Sequence, residues 1–173
     1  MSIKWQIYPT SLRPSEFVHA IASVFASQAD LIGTPPNKPQ SDQVLKAVSG
    51  GLSALGFEVE TSKRSKIRVP IQYGINGEVL KSFEVDAWHQ ELGAVLEVEA
   101  GIAIDARKIY QDLFEALAMP DVRFLCVAVQ NAYHPARKRT AFDDFARGKA
   151  IFDGLFASQR MLLPLETVML LGY

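Results

Sequence analysis

The chain has 173 residues, of which 49% are hydrophobic and 21% charged, and this composition indicates a globular protein rather than a disordered one. Its net charge of −1 excludes nucleic-acid binding through an overall positive field, so that any such binding needs a local basic surface. The single Cys126 excludes an internal disulfide and a cysteine-rich zinc site, and its apolar neighbours predict a buried, unreactive thiol.

Neither end of the chain resembles a targeting or membrane segment. Residues 1–9 contain no apolar stretch long enough for a signal peptide, and Pro164 and Glu166 interrupt the apolar tract over residues 161–171. We therefore expect a cytoplasmic protein with no membrane partner. Its length predicts a single domain over residues 1–173.

The N-terminal third of the chain predicts two helices and a short strand. Ser15 can cap a helix over residues 15–30, in which apolar residues recur at helical spacing. A proline-rich loop follows, and Ser41 then caps a second helix that ends before Gly56. Residues 57–60 predict a short strand.

The middle of the chain predicts strands that are joined by tight turns. The dipeptide Asn76-Gly77 is a strong hairpin signal because both residues tolerate positive φ. Alternating or continuous apolar residues predict strands over residues 67–73, 79–89, 94–100 and 122–129.

Two further helices complete the pattern. Amphipathic spacing predicts one over residues 104–118, with Tyr110 and Phe114 among its apolar residues. Thr140 and Asp143 can form a capping box for a helix over residues 140–158. Residues 167–173 are either a strand or an extended tail. The order of elements predicts an α/β fold with a mixed central β-sheet flanked by helices.

Acidic residues concentrate on two neighbouring predicted strands. Side chains alternate along a strand, so Glu97 and Glu99 face the same way. With a turn centred between residues 91 and 92, Asp86 lies opposite Glu97, and Glu84 lies opposite Glu99. Like charges placed opposite each other are destabilising, and a divalent cation such as Mg²⁺ would offset that cost. The alternative is the solvated face of an edge hairpin.

The same residues resemble the PD-(D/E)xK nuclease superfamily, whose members share an α-β-β-β-α-β core. Asp86 on one strand and Glu97-x-Glu99 on the next match its motif, with Glu99 in place of the usual Lys. The resemblance covers about residues 41–130, and the helices over residues 15–30 and 140–158 are additions to that core. It implies a restriction endonuclease-like fold.

The resemblance also implies an activity and a set of residue roles. The protein would be a Mg²⁺- or Mn²⁺-dependent endonuclease that hydrolyses phosphodiester bonds in DNA. Asp86 and Glu97 would hold the metal with help from the Val98 carbonyl, and Glu99 would orient the attacking water or act as general base. Lys108 could supply the missing positive charge, although we favour a surface lysine.

Positive charge is concentrated before the hairpin, at Lys63, Arg64, Lys66 and Arg68. This stretch would contact the phosphate backbone of DNA. A strand edge that is protected by lysines is an equally good interpretation.

Two other functions remain open. The same fold could be a catalytically inactive module that binds DNA or protein, which the Glu at position 99 favours. The chain could also be an unrelated α/β interaction protein that forms a homodimer through its aromatic C-terminal helix. A homodimer is also expected by analogy with restriction-type enzymes, which often pair to cut both strands.

Overall fold

A six-stranded mixed sheet forms the centre of the computed structural model, which describes residues 3–35, 37–62, 65–100, 107–133, 141–158 and 160–173. In chain order the elements are β1 (Lys4–Tyr8), α1 (Glu16–Ser27), α2 (Ala29–Ile32), α3 (Ser41–Ala54), β2 (Glu58–Val59), β3 (Ile67–Tyr73), β4 (Val79–Val85), β5 (Ala87–His89), β6 (Ala94–Glu99), α4 (Arg107–Ala118), β7 (Phe124–Val129), α5 (Asp144–Ser158) and β8 (Thr167–Gly172).

The central sheet has the spatial order β1-β8-β7-β6-β5-β2. Its three inner strands β6, β7 and β8 run parallel, whereas β1, β5 and β2 pair antiparallel with their neighbours. Every residue of β6 and β7 is buried. Both faces of these strands are covered, and β7 accordingly consists entirely of apolar residues. Strand β6 differs because it carries two glutamates, whose buried carboxylates need charged or hydrogen-bonding partners.

Helices cover the two faces of the sheet with separate cores. Helices α1 and α3 pack on one face, where Leu96 and Val98 of β6 contribute to the core. Helices α4 and α5 pack on the other face, together with Val95 of β6. The predicted mixed sheet flanked by helices is therefore confirmed. The side-chain alternation in β6 places Glu97 and Glu99 on the α4 face.

A separate two-stranded sheet, β3 and β4, flanks the α4 face. Asn76 and Gly77 form its turn with φ values of 58° and 80°, as the sequence predicts. The single strand expected over residues 79–89 is wrong, because the chain bends at Asp86 and changes partners there. Val85 pairs with β3, whereas Ala87 pairs with β6 and β2.

Several boundaries also differ from those expected. Gln40, not Ser41, caps α3, and it does so through a capping box with Gln43. Helix α5 begins at Asp144, with the Asp143 side chain accepting a hydrogen bond from the Ala146 amide at 2.8 Å. Thr140, the other half of the expected capping box, lies outside the described residues.

The two ends of the chain meet at one edge of the sheet. Strand β1, which the sequence did not predict, pairs antiparallel with β8. Of the two alternatives for residues 167–173, a strand or an extended tail, the structure has the strand. The aromatic face of α5 packs within the protein, where Phe152 is fully buried and Phe156 stacks on Tyr8. Within the described residues, no helix combines the length and the apolar character needed to cross a membrane.

Candidate active site

Asp86 and Glu97 lie beside each other at the point where β5 begins. The β5–β6 register pairs Ala87 with Leu96, and its extension by one residue sets Asp86 opposite Glu97, as predicted. Asp86 Oδ2 accepts a hydrogen bond of 2.8 Å from the Val98 amide. This bond substitutes for the strand pairing that is lost at the bend and fixes the Asp86 carboxylate against β6.

Both carboxylates open into a cavity of about 490 Å³ between the β3–β4 hairpin, β6 and α4. Its ionisable lining consists of five carboxylates and two ammonium groups, contributed by Glu60, Glu84, Asp86, Glu97, Glu115, Lys66 and Lys108. The cavity is therefore strongly acidic, although the net charge of the whole chain is only −1. Such a site attracts cations and, without one, repels phosphate.

Burial raises the pKa of both central carboxylates. The pKa of Asp86 is raised by desolvation and by the nearby Glu60, against the opposing effect of the Val98 hydrogen bond. The pKa of Glu97 is raised well above its usual range by desolvation, by Asp86 and by Asp112. No described side chain forms a hydrogen bond or ion pair with Glu97. Negative charge is thus concentrated where Asp86 and Glu97 meet, and the nearby Lys108 offsets only part of it.

Glu99 lies behind this pair and does not line the cavity. Its carboxylate oxygen Oε1 is 3.4 Å from Lys108 Nζ, which in turn is 3.2 Å from Asp112 Oδ1. Lys108 does line the cavity, and its side chain is 33% exposed. Lys108, which we favoured as a surface lysine, therefore returns from α4 to the motif position that lacks a lysine.

The neighbouring carboxylates keep Lys108 charged. Burial alone would lower the pKa of its ammonium group, but Asp112, Glu99 and Glu97 together raise that pKa well above its usual value. The tyrosine at the end of β8 supports the same region, since Tyr173 donates a hydrogen bond of 2.9 Å to the backbone carbonyl of Glu99.

Asp112 belongs to the site, and the sequence interpretation missed it. Its side chain is 1% exposed, and its Oδ2 has no hydrogen-bond partner. Burial and the adjacent Glu99 raise its pKa to about 7. The signal in the sequence was an aspartate one helical turn after Lys108, on the buried side of α4. The apolar pattern predicts that Tyr110 and Phe114 lie on the inner face of α4. In the structure these two residues are 40% and 59% exposed, and the buried side of the helix carries Asp112 instead.

The expected position of Glu84 opposite Glu99 is wrong. Glu84 lies on β4 and pairs with Arg68 of β3, with 3.2 Å between Arg68 Nη2 and Glu84 Oε1. The predicted basic surface is partly neutralised in the same way. Lys66 Nζ lies 3.0 Å from Glu60 Oε2 and 3.7 Å from Glu84 Oε2, while Lys63 and Arg64 lie outside the described residues.

The donor set fits a hard divalent cation. Asp86 and Glu97 supply carboxylate oxygens, the ligand type that Mg²⁺ and Mn²⁺ prefer, and Mg²⁺ typically needs only one or two carboxylates. Their raised pKa values indicate negative charge that a cation would stabilise. Over the described parts of the chain, no group of three or more acidic, histidine or cysteine side chains is placed so as to hold a metal ion.

Comparisons with known proteins agree with the fold. No protein-family model matches the sequence, and no curated protein is significantly similar to it. Among solved structures, the chain is similar to the restriction endonuclease BglII complexed with a DNA 16-mer, with a TM-score of 0.54. The alignment covers 99% of this chain and 76% of the BglII chain at 10% sequence identity. The chain therefore has a restriction endonuclease-like fold.

Proposed function

We propose that this protein is a metal-dependent nuclease that hydrolyses phosphodiester bonds in DNA. The observation that carries the proposal is the pair Asp86 and Glu97 on one acidic cavity with the Lys108 ammonium beside it. The restriction endonuclease-like fold supports the reaction class, and the similar BglII structure, which is a complex with DNA, supports the substrate.

Asp86 and Glu97 are the proposed ligands for Mg²⁺ or Mn²⁺. The Val98 carbonyl is a third candidate, because the N–H and C=O of a strand residue point to the same edge and the Val98 N–H points at Asp86. When bound, the cation would lower the pKa of the attacking water and offset the charge that develops on the phosphate. Without it, the five carboxylates of the cavity would repel the substrate.

Lys108 takes the role of the missing motif lysine in this proposal. Its raised pKa keeps it protonated, so that it stabilises developing phosphate charge and orients the water as a hydrogen-bond donor rather than as a base. Glu99, which the sequence suggested as a direct catalytic group, then acts by holding Lys108 from behind.

The basic hairpin strand is the proposed contact for the DNA backbone. Arg68 and Lys66 side chains are 66% and 36% exposed, and their ion pairs with the half-exposed Glu84 contribute little. A phosphate group can therefore replace Glu84 as their partner. Lys63 and Arg64, on the preceding segment, would extend the same contact.

Cleavage of a supercoiled plasmid tests the proposal. The wild-type protein should nick the plasmid with Mg²⁺ or Mn²⁺ and not with excess EDTA, and Asp86→Asn and Glu97→Gln should each abolish nicking. Asp153→Asn, on helix α5 and outside the cavity lining, should cleave at the wild-type rate. Metal binding without cleavage of any DNA substrate would instead support a catalytically inactive module. Wild-type protein that neither binds metal nor cleaves would contradict the proposal.

The homodimer stays a prediction. Its expected interface was the aromatic helix α5, but Phe145, Phe152 and Phe156 of that helix pack on the protein's own core. A dimer would therefore use another surface. Sedimentation velocity with and without DNA measures the oligomeric state directly.

A further inference from the structure

Asp112 carries a carboxylate into the protein interior, where only one of its two oxygens has a hydrogen-bond partner among the described residues. Its side chain is 1% exposed, and Oδ2 lacks any hydrogen-bond partner. A buried carboxylate of this kind is costly, and apolar residues at the same place would be less so. Helix α4 already buries Ile109 and Leu113 on either side of it. The charge is therefore not explained by the needs of the core.

The ion-pair partner of Asp112 is Lys108, which also lines the cavity. Lys108 Nζ lies 3.2 Å from Asp112 Oδ1 and 3.4 Å from Glu99 Oε1, so two carboxylates from different elements hold one ammonium. Lys108 lines the cavity, whereas neither of the two carboxylates does. The two carboxylates thus contact the lysine outside the cavity, and a substrate in the cavity could contact it from the other side.

Helix α5 contains a second lysine–aspartate ion pair with the same four-residue spacing, and it differs from the α4 pair in its exposure. In α5, Lys149 Nζ lies 2.6 Å from Asp153 Oδ2, and the side chains are 45% and 44% exposed. That pair lies at the surface, where water screens both charges, although Asp153 also accepts a hydrogen bond of 2.9 Å from the Tyr8 hydroxyl. In the α4 pair the aspartate is buried and therefore immobile, so it can hold Lys108 in one position.

We propose that Asp112 is a positioning residue, which fixes the Lys108 ammonium at the wall of the acidic cavity together with Glu99. The catalytic consequence rests on the proposed nuclease function, since a lysine held in place pays no ordering cost when the scissile phosphate arrives. The positioning itself is a property of the metal-free protein and can be measured without any substrate.

Lysine reactivity measures the positioning. Reductive dimethylation of the metal-free protein, followed by peptide mass spectrometry, should modify Lys108 at least about 10-fold more slowly than Lys149, because a held ammonium rarely loses its proton. Asp112→Asn should raise the Lys108 rate several-fold and leave Lys149 unchanged. Asp112→Leu, an apolar replacement that suits the core, should do the same, while Asp153→Asn should affect only Lys149.

Metal binding and cleavage measure the consequence. In both Asp112 variants, Mn²⁺ should still bind in calorimetry, because the proposed ligands Asp86 and Glu97 are both retained. The single-turnover cleavage rate should fall about 10- to 100-fold with little change in DNA affinity. Asp112→Glu, which keeps the charge, should recover part of both the slow labelling and the rate.

The results separate the two proposals. Unchanged Lys108 labelling in folded Asp112→Asn and Asp112→Leu would overturn the positioning role, whatever the nuclease assay shows. Wild-type protein that does not cleave DNA would instead overturn the proposed function, and the labelling would still decide whether Asp112 holds Lys108. Altered labelling with a cleavage rate equal to wild type would overturn the catalytic consequence of the positioning.

Discussion

Lys108 and Glu99 come from different elements, a helix and a strand, and meet with 3.4 Å between Nζ and Oε1. Position 99 is where the resemblance to PD-(D/E)xK nucleases leads one to expect a lysine. The glutamate found there does not leave the cavity without an ammonium, because α4 crosses the face of β6 and delivers Lys108 to the same place. Lys108 thus supplies an ammonium group beside position 99, although that position itself is a glutamate.

Removal of the Lys108 ammonium should impair catalysis far more than binding. We expect Lys108→Met to lower the single-turnover cleavage rate about 10²- to 10³-fold, the range found when one donor to developing charge is lost. Lys149→Met, in the matched but exposed pair of α5, should cleave normally. A Lys108→Met variant within threefold of wild type would show that this ammonium plays no part in the reaction.

Neutralising Glu97 should stabilise the metal-free fold at alkaline pH. Because the pKa of this buried carboxyl is raised in the folded protein, the folded chain binds more protons than the unfolded chain once pH exceeds the ordinary Glu value. The wild-type free energy of unfolding therefore falls as pH rises through that window, and Glu97→Gln removes the part of this fall that Glu97 contributes.

Urea unfolding in EDTA measures the effect. Glu97→Gln should be more stable than wild type at pH 8 by on the order of 1–3 kcal/mol, and this gain should shrink towards pH 4.5. Glu91→Gln, at an exposed position of the β5–β6 turn, should give no such gain. A Glu97→Gln variant that is less stable than wild type at pH 8 would mean that the carboxylate is compensated within the protein.

The salt dependence of DNA binding should report the hairpin contact. If Arg68 contacts a phosphate, Arg68→Ala should reduce the slope of log K against log salt by about one. Fluorescence anisotropy with Ca²⁺ in place of Mg²⁺ gives the slope. Lys4→Ala is the control, because β1 is the edge strand at the opposite side of the sheet from the hairpin. Equal slopes for wild type and Arg68→Ala would exclude this contact.

The turn that aligns β5 with β6 depends on Gly93. This residue has φ of +58°, and a Cβ there would overlap the Asp121 carbonyl oxygen. Gly93 also accepts backbone hydrogen bonds from Arg123 and Phe124, at 2.8 and 3.0 Å. We expect Gly93→Ala to lower the free energy of unfolding by about 1–3 kcal/mol and to displace Asp86 relative to Glu97.

Gly50 serves as the control for Gly93, because an added Cβ at Gly50 would meet no neighbouring atom. Gly50 is exposed within α3 and has open space around its Cα, so Gly50→Ala should raise the free energy of unfolding by about 0.5–1 kcal/mol. Differential scanning calorimetry of both variants checks the pair. Equal stability of Gly93→Ala and wild type would contradict the tight approach at the turn.

Local patterns were sufficient to predict much of the site. Alternation along β6 places Glu97 and Glu99 on one face, and the short turn before Ala94 fixes Asp86 opposite Glu97. These two inferences need only neighbours in sequence, for which side-chain period and turn length give the geometry.

The parts that the sequence did not reveal depend on distant contacts. Strand β1 is stabilised by β8 from the other end of the chain, and the bend at Asp86 exists because β4 and β5 join different sheets. The roles of Lys108 and Asp112 depend on which side of α4 meets the sheet. An aromatic pair that we placed inside, Tyr110 and Phe114, lies outside. Local periodicity does not determine such a rotation when both sides carry apolar residues.

Calorimetric titration of Mn²⁺ into the wild-type protein and into Asp86→Asn tests the central claim most directly. Mn²⁺ suits the carboxylate site, and Asp86→Asn keeps the side-chain shape while it removes one charged ligand. We predict saturable binding to the wild type that the substitution weakens at least about 10-fold, with the folded state of both proteins verified by circular dichroism. Undetectable binding to the wild type, or equal binding to both proteins, would contradict the assignment of Asp86 and Glu97 as a metal centre.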